Sequence, residues 1–165
     1  MVPAVEELGE GDPEQVVVEN ALRKARAGAA ATEGALVLGV DTDVVLDGRI
    51  LGKAADEAGA RERLESLSGR THQVLSGLAL VGDGERERTA LARTLVTFGP
   101  LDRPTLELYL ASGEWRDRAG AYAIQGLGSI LVERLEGDFS NVVGLPVSAL
   151  LGLAPELLPK RSAQH

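Results

Sequence analysis

The sequence predicts a mixed α/β (α+β) fold, and three observations predict it. Strand-like and helix-like segments interleave along the 165 residues without an internal repeat. Helix starts are signalled explicitly, at Asp12-Pro13-Glu14-Gln15 and at Asp56. An Asp47-Gly48 pair between two apolar runs marks a tight hairpin. No linker-like stretch divides the chain, so residues 1–158 are expected to form one domain and 159–165 a polar tail.

In chain order, Asp12 caps a helix with proline in its first turn, expected to run to about Ala27 and to stop before Gly28. Residues 35–41 are short, apolar and partly β-branched, and read as a buried strand. Val44-Val45-Leu46, the Asp47-Gly48 turn and Ile50-Leu51 form the hairpin. Asp56 opens a helix through Leu67, closed by Ser68-Gly69. Residues 71–81 and 86–98 are two long strands joined by Gly82-Asp83-Gly84. Asp102 to Ser112 is a helix with Gly113 just past its end. Ser112 to Gly128 is expected to be a long ordered loop, since Trp115, Tyr122 and Ile124 call for burial. A strand over 129–135 and a helix over 146–153 complete the order.

Composition narrows the function. A hydrophobic content of 44% and a charged content of 25% are those of a soluble globular chain. There is no cysteine, no apolar run long enough to span a bilayer and no signal-peptide pattern in MVPAVEELGEGD, which together suit a cytoplasmic protein with no membrane partner. A formal charge of −8 argues against polymeric nucleic acid as the partner. A small anion remains compatible if local cations or a metal outweigh the global field. Of 17 cationic residues only Lys24, Lys53 and Lys160 are lysines, which draws attention to the first two.

The stretch GVDTDVVLDGRILGK, residues 39–53, carries the chemistry. Asp41 and Asp43 follow an apolar run, where aspartates either cap a strand end or present carboxylates to a metal or a water. A tight hairpin at Asp47-Gly48 returns Lys53 towards Asp41, and a cation beside a metal-binding acid is a phosphate-binding arrangement. Gln125 lies between Ile124 and Gly126. Its amide either satisfies backbone groups or pairs with the O4/N3–H edge of uracil or thymine. His72, alone at a strand start, is expected to be structural.

These pieces, with NALRKARA, LESLSGRTHQVLSGLAL, YLASGEW and RAGAYAIQGLGSILVERLEGDFSNVVGLPV, resemble the Maf family of nucleoside triphosphate pyrophosphatases over residues 7 to about 153. The resemblance implies a two-lobed, Maf/ITPase-like fold around an elongated mixed sheet, Mg²⁺ or Mn²⁺ dependence, a possible homodimer, and hydrolysis of a triphosphate to monophosphate and pyrophosphate. It implies that Asp41 is the proton acceptor or metal organiser, that Lys24 and Lys53 are cleft lysines, and that Glu7 is a metal or water ligand. Thr42 and Gln125 match positions tied to base choice, and AYAIQG is similar to the branch acting on dTTP and UTP. Two other readings accompany it: a non-catalytic member that binds nucleotide or a partner, and a purine-directed enzyme for ITP or XTP. The family's opening strand and its Ser-x-Ser-Pro-Arg-Arg turn, a unit of on the order of 30 residues, have no counterpart before Val2. That is expected to leave a sheet edge open and to remove phosphate donors. Ala54 stands where the family usually has proline.

Overall fold

A computed structural model describes residues 5–82, 84 and 86–158, so the expected tail at 159–165 and residue 83 of the expected turn lie outside the described residues. The elements are helix α1 (Pro13–Ala31), strands β1 (Val37–Leu46) and β2 (Arg49–Ile50), helix α2 (Glu57–Leu67), strands β3 (Thr71–Val81) and β4 (Arg88–Phe98) and helix α3 (Arg103–Ser112). A 3₁₀ turn over Gly126–Leu131, strand β5 (Val132–Glu136) and helices α4 (Phe139–Val143) and α5 (Val147–Leu153) follow, and a short 3₁₀ turn at Pro155–Leu157 closes the described chain.

The five strands form one sheet in the order β2-β1-β3-β4-β5. The mixed α/β class holds, but the sheet expected to be mixed is antiparallel at every pairing. β1–β2 and β3–β4 are hairpins, and the α2 excursion returns the chain to the other side of β1 in the opposite direction. Asp47 and Gly48 have φ of 50° and 75°, the left-handed pair that a type I′ turn demands.

Three helices start as their caps indicate. The side chains of Asp12, Asp56 and Asp102 accept from the backbone N–H of Gln15, Gly59 and Thr105, and Gly113 ends α3 in the left-handed conformation. The elements depart from expectation in several places, among them β1, one strand over Val37–Leu46 where separate segments at 35–41 and 44–46 are expected. α1 continues past Gly28 because that glycine is a contact surface: a Cβ there would stand 2.7 Å from Val37 Cγ1. Residues 129–131, expected in a strand, belong to the 3₁₀ turn, and β5 begins at Val132. α4, started by Asp138, is five residues long, too short to show a helical period in the sequence.

The sheet separates two packing zones. On one face α1 rests against β1 and β3, with Val17 against Val45 and Leu75, and Ala21 and Ala25 against Ala79. On the other face Val44, Leu46, Val74, Val96 and Phe98 join α2, α3, Trp115, Tyr122 and Ile124 in the main core. β2 pairs with only two residues of β1, Val45 and Leu46. Among the described residues, β1 therefore presents an open edge from Val37 to Asp43. No helix among the described residues is long and apolar enough to cross a membrane.

Candidate active site

The open edge of β1 forms the wall of a cleft of about 930 Å³. Glu7, Lys24, Asp41, Thr42, Lys53 and Gln125, singled out from the sequence, all line it. One expectation about placement is corrected. Asp41-Thr42-Asp43 is not the end of a strand but the middle of β1, paired with Gly77, Ser76 and Leu75 of β3. The acids are reached from the side of the strand, where β2 stops short.

Asp41 is buried and points to the α1 face, as the two-residue strand period requires of a neighbour of Gly39 and Asp43. Asn20 and Lys24, one helical turn apart on α1, meet it there. Lys24 Nζ is 2.6 Å from Asp41 Oδ1 and 2.7 Å from Glu7 Oε1, and Asn20 Nδ2 donates to Asp41 Oδ2 at 3.0 Å. Burial acts to lower the Lys24 ammonium, but hydrogen bonds and attraction to Asp41 and Glu7 overcome it and hold the group above its ordinary value. The lysine in contact with Asp41 is thus Lys24, while Lys53 faces the same cleft with its ammonium unpaired among the described residues.

Lys53 is carried by backbone pairing. It bridges to Ala119, Gly120 N–H donates to Gly52 O at 2.9 Å, and Arg63 donates to the carbonyls of Leu51 and Lys53 at 2.6 and 3.2 Å. Ala54 packs against the main core, so the turn after Lys53 is tied down by these contacts without a proline. The Ser112–Gly128 segment is ordered as anticipated. Trp115 Nε1 donates to Leu110 O, Tyr109 Oη accepts from Ala123 N–H, and the Glu114 carboxylate accepts from Leu127 and Gly128 N–H, each at 3.1 Å. Those last two bonds start the 3₁₀ turn and hold Gln125, exposed, at the cleft wall. Thr42 Oγ1 is 2.7 Å from Ser76 Oγ on β3, a buried partner that fixes its rotamer.

His72 is structural, as expected. It is buried, its Nε2 lies 2.7 Å from Tyr122 Oη, and it packs edge-on against Phe98 and Tyr122. Burial lowers it to about 4, so it is neutral at pH 7.

Asn20, Ser76, Arg63 and Glu114 were not legible as site residues, because each acts through a partner distant in sequence. Asp43, read together with Asp41 in the sequence, also lines the cleft, and its environment is what the structure adds. Burial pushes its carboxyl up to about 7, the charges of Asp41 and Glu7 adding and Lys24 and Lys53 opposing. Its sign in stability follows from linkage. Between about pH 4 and 7 the folded state holds a proton on Asp43 that the unfolded state has released, so stability falls as pH rises through that window. His72 does the reverse between about 4 and 6.5, and the two slopes oppose. In metal-free buffer Asp43→Asn should therefore show stability rising from pH 4.5 to 6.5. At pH 8 it should exceed the unsubstituted chain by on the order of 3 kcal/mol. Urea unfolding at pH 4.5, 6.5 and 8 measures this, and parallel curves for the two chains would refute it.

The donor set suits a hard divalent cation. Glu7 and Asp41 already converge on one positive charge, the Lys24 ammonium, and Mg²⁺ commonly takes one or two carboxylates together with substrate phosphates. Among the described residues no group of three or more His, Asp or Glu side chains forms a self-sufficient metal cage.

A family model described as Maf-like protein matches residues 1–157. The chain is 49% identical over 148 residues to a dTTP/UTP pyrophosphatase of Symbiobacterium thermophilum, covering 88% of this chain and 76% of the relative. It is 49% identical over 155 residues to one of Alkalilimnicola ehrlichii, covering 89% and 76%, and 46% identical over 139 residues to one of Bacillus cytotoxicus, covering 84% and 72%.

Proposed function

The chain belongs to the Maf family, and from that premise we propose that it hydrolyses nucleoside triphosphates to the monophosphate and pyrophosphate, with dTTP and UTP preferred, residues 1–158 acting as one domain. The relatives' names support the reaction and the base. The observation that carries the reading in this chain is the convergence, in one cleft, of a buried anchored carboxylate, an unpaired lysine and an exposed side-chain amide: Asp41, Lys53 and Gln125.

In this reading the triphosphate lies in the cleft beside Asp41 and Lys53. Water attacks the α-phosphorus, the bond to the oxygen bridging towards the β-phosphorus breaks, and pyrophosphate leaves. Asp41, with Lys24 and Asn20 fixing its two oxygens, orients the water and takes its proton. Lys53 stabilises charge developing on the leaving group. Gln125 accepts from N3–H and donates to O4 of the pyrimidine, a pairing that cytosine inverts. Thr42, held by Ser76, borders the same space. Glu7 and Asp41 would hold Mg²⁺ or Mn²⁺, which when bound supplies positive charge to the phosphate oxygens. With the chain at −8, the substrate is a free nucleotide and not a nucleic acid polymer.

The test is pyrophosphate release by the purified chain with Mg²⁺ or Mn²⁺ over dTTP, UTP, CTP, ITP, XTP and 7-methyl-GTP. Turnover of dTTP and UTP ahead of the rest is expected. ITP or XTP in first place would replace this reading with a purine-directed one. Nucleotide binding without turnover would replace it with a binding role.

A further inference from the structure

Asn20 is a buried polar side chain with three hydrogen bonds, and they join two separate parts of the site. Its Oδ1 accepts from Leu8 N–H at 2.7 Å, and its Nδ2 donates to Leu8 O at 3.0 Å and to Asp41 Oδ2 at 3.0 Å. The first two bonds treat the backbone of Leu8 as a neighbouring strand would, through one donor and one acceptor. The third engages the carboxylate placed at the centre of the proposed reaction. A single amide thus spans the segment that carries Glu7 and the strand that carries Asp41.

The segment before α1 has little else to hold it. Residues 6–10 are exposed and lie outside any helix or strand. Besides the Asn20 bonds, their recorded ties are Arg23 to Glu6 O at 3.1 Å, also exposed, and the Glu7–Lys24 pair, in which Glu7 is half exposed. An exposed ion pair of this kind contributes little. The two bonds to Asn20 are worth more, because breaking them strands the polar atoms of a buried side chain. The amide also settles Asp41. Lys24 takes Oδ1 and Asn20 takes Oδ2, so the carboxylate plane is fixed by two donors from one helix face. An apolar residue at position 20 would do neither job and would leave Asp41 Oδ2 without this donor.

We propose that Asn20 is the positioning residue of this site, latching the Glu7-bearing segment and Asp41 into one preorganised unit. This rests on the pyrophosphatase reading for its catalytic consequence but not for the latch itself. Asn20 does not line the cleft, and it acts through Asp41 and Leu8.

Two readouts test it, activity and amide hydrogen exchange at Leu8. Asn20→Ala should lower kcat for dTTP at least tenfold while KM changes less than threefold, and should speed exchange of the Leu8 amide at least tenfold. Asp41→Ala leaves Asn20 in place, so it keeps the latch measurable if the alanine at 20 does not fold. It should speed Leu8 exchange at least threefold, because the amide loses the anchor that orients it. Asn20→Ala with kcat intact, or Asp41→Ala with Leu8 exchange unchanged, overturns the proposal. If the unsubstituted chain releases no pyrophosphate from any nucleotide, the functional reading fails, and the exchange measurements still decide the latch.

Discussion

Asp41→Asn is expected to reduce kcat for dTTP and UTP by between about 10² and 10⁴, the range associated with loss of a positioned acid–base group. The substitution is isosteric, so its consequence is chemical. The amide oxygen can still accept from either Lys24 or Asn20, but the side chain loses its second acceptor, its charge, its capacity to take a proton from water and its claim on a divalent cation. Lys24 keeps Glu7 as a partner at 2.7 Å, so no cation is left stranded. Asp43 loses the negative neighbour that, after burial, contributes most to raising its carboxyl. Fold stability should therefore change little relative to activity. Single-turnover kinetics at saturating metal, with binding of a non-hydrolysable dTTP analogue as control, separates the two. A variant that binds the analogue and still turns over within threefold of the unsubstituted chain would remove Asp41 from the proposed role.

Gly39→Ala should have the largest effect on stability, a loss of about 3 kcal/mol or more. A Cβ at position 39 would stand 2.1 Å from Ala21 O and 2.7 Å from Ala25 N, both backbone atoms of α1. Backbone inside a helix cannot rotate away as a side-chain end can, so α1 must lift from the sheet. Gly77 plays the same part on β3, where a Cβ would meet Val17 O at 2.2 Å. The two glycines are the seats on which the helix rests, and the same seating delivers Asn20 and Lys24 to Asp41. Activity should fall with stability for that reason. Gly152→Ala, at an exposed position in α5 with no atom within 4 Å of the added carbon, is the control and should gain roughly 0.5–1 kcal/mol. Urea unfolding of both variants decides it: a Gly39→Ala loss no larger than the change at Gly152 would show that α1 does not depend on this close approach.

The helices with capping aspartates and the Asp47-Gly48 hairpin were determined locally, since a cap or a left-handed turn is chosen by residues within four positions of each other. The acids, the lysines and Gln125 were legible as candidates because their residue types already limit what they can do in a cleft. Their assembly was not. Residues 20, 41 and 8 lie at separations that no periodicity spans, and only the seating of α1 on Gly39 and Gly77 brings them together. The placement of Asp41 mid-strand was decided by β3, which pairs with β1 along nine residues and leaves no local signal of doing so. The environment of Asp43 was decided the same way: its type and position were visible from the start, while burial beside Asp41 and Glu7, which moves its carboxyl towards neutrality, exists only once the sheet and α1 have closed around it.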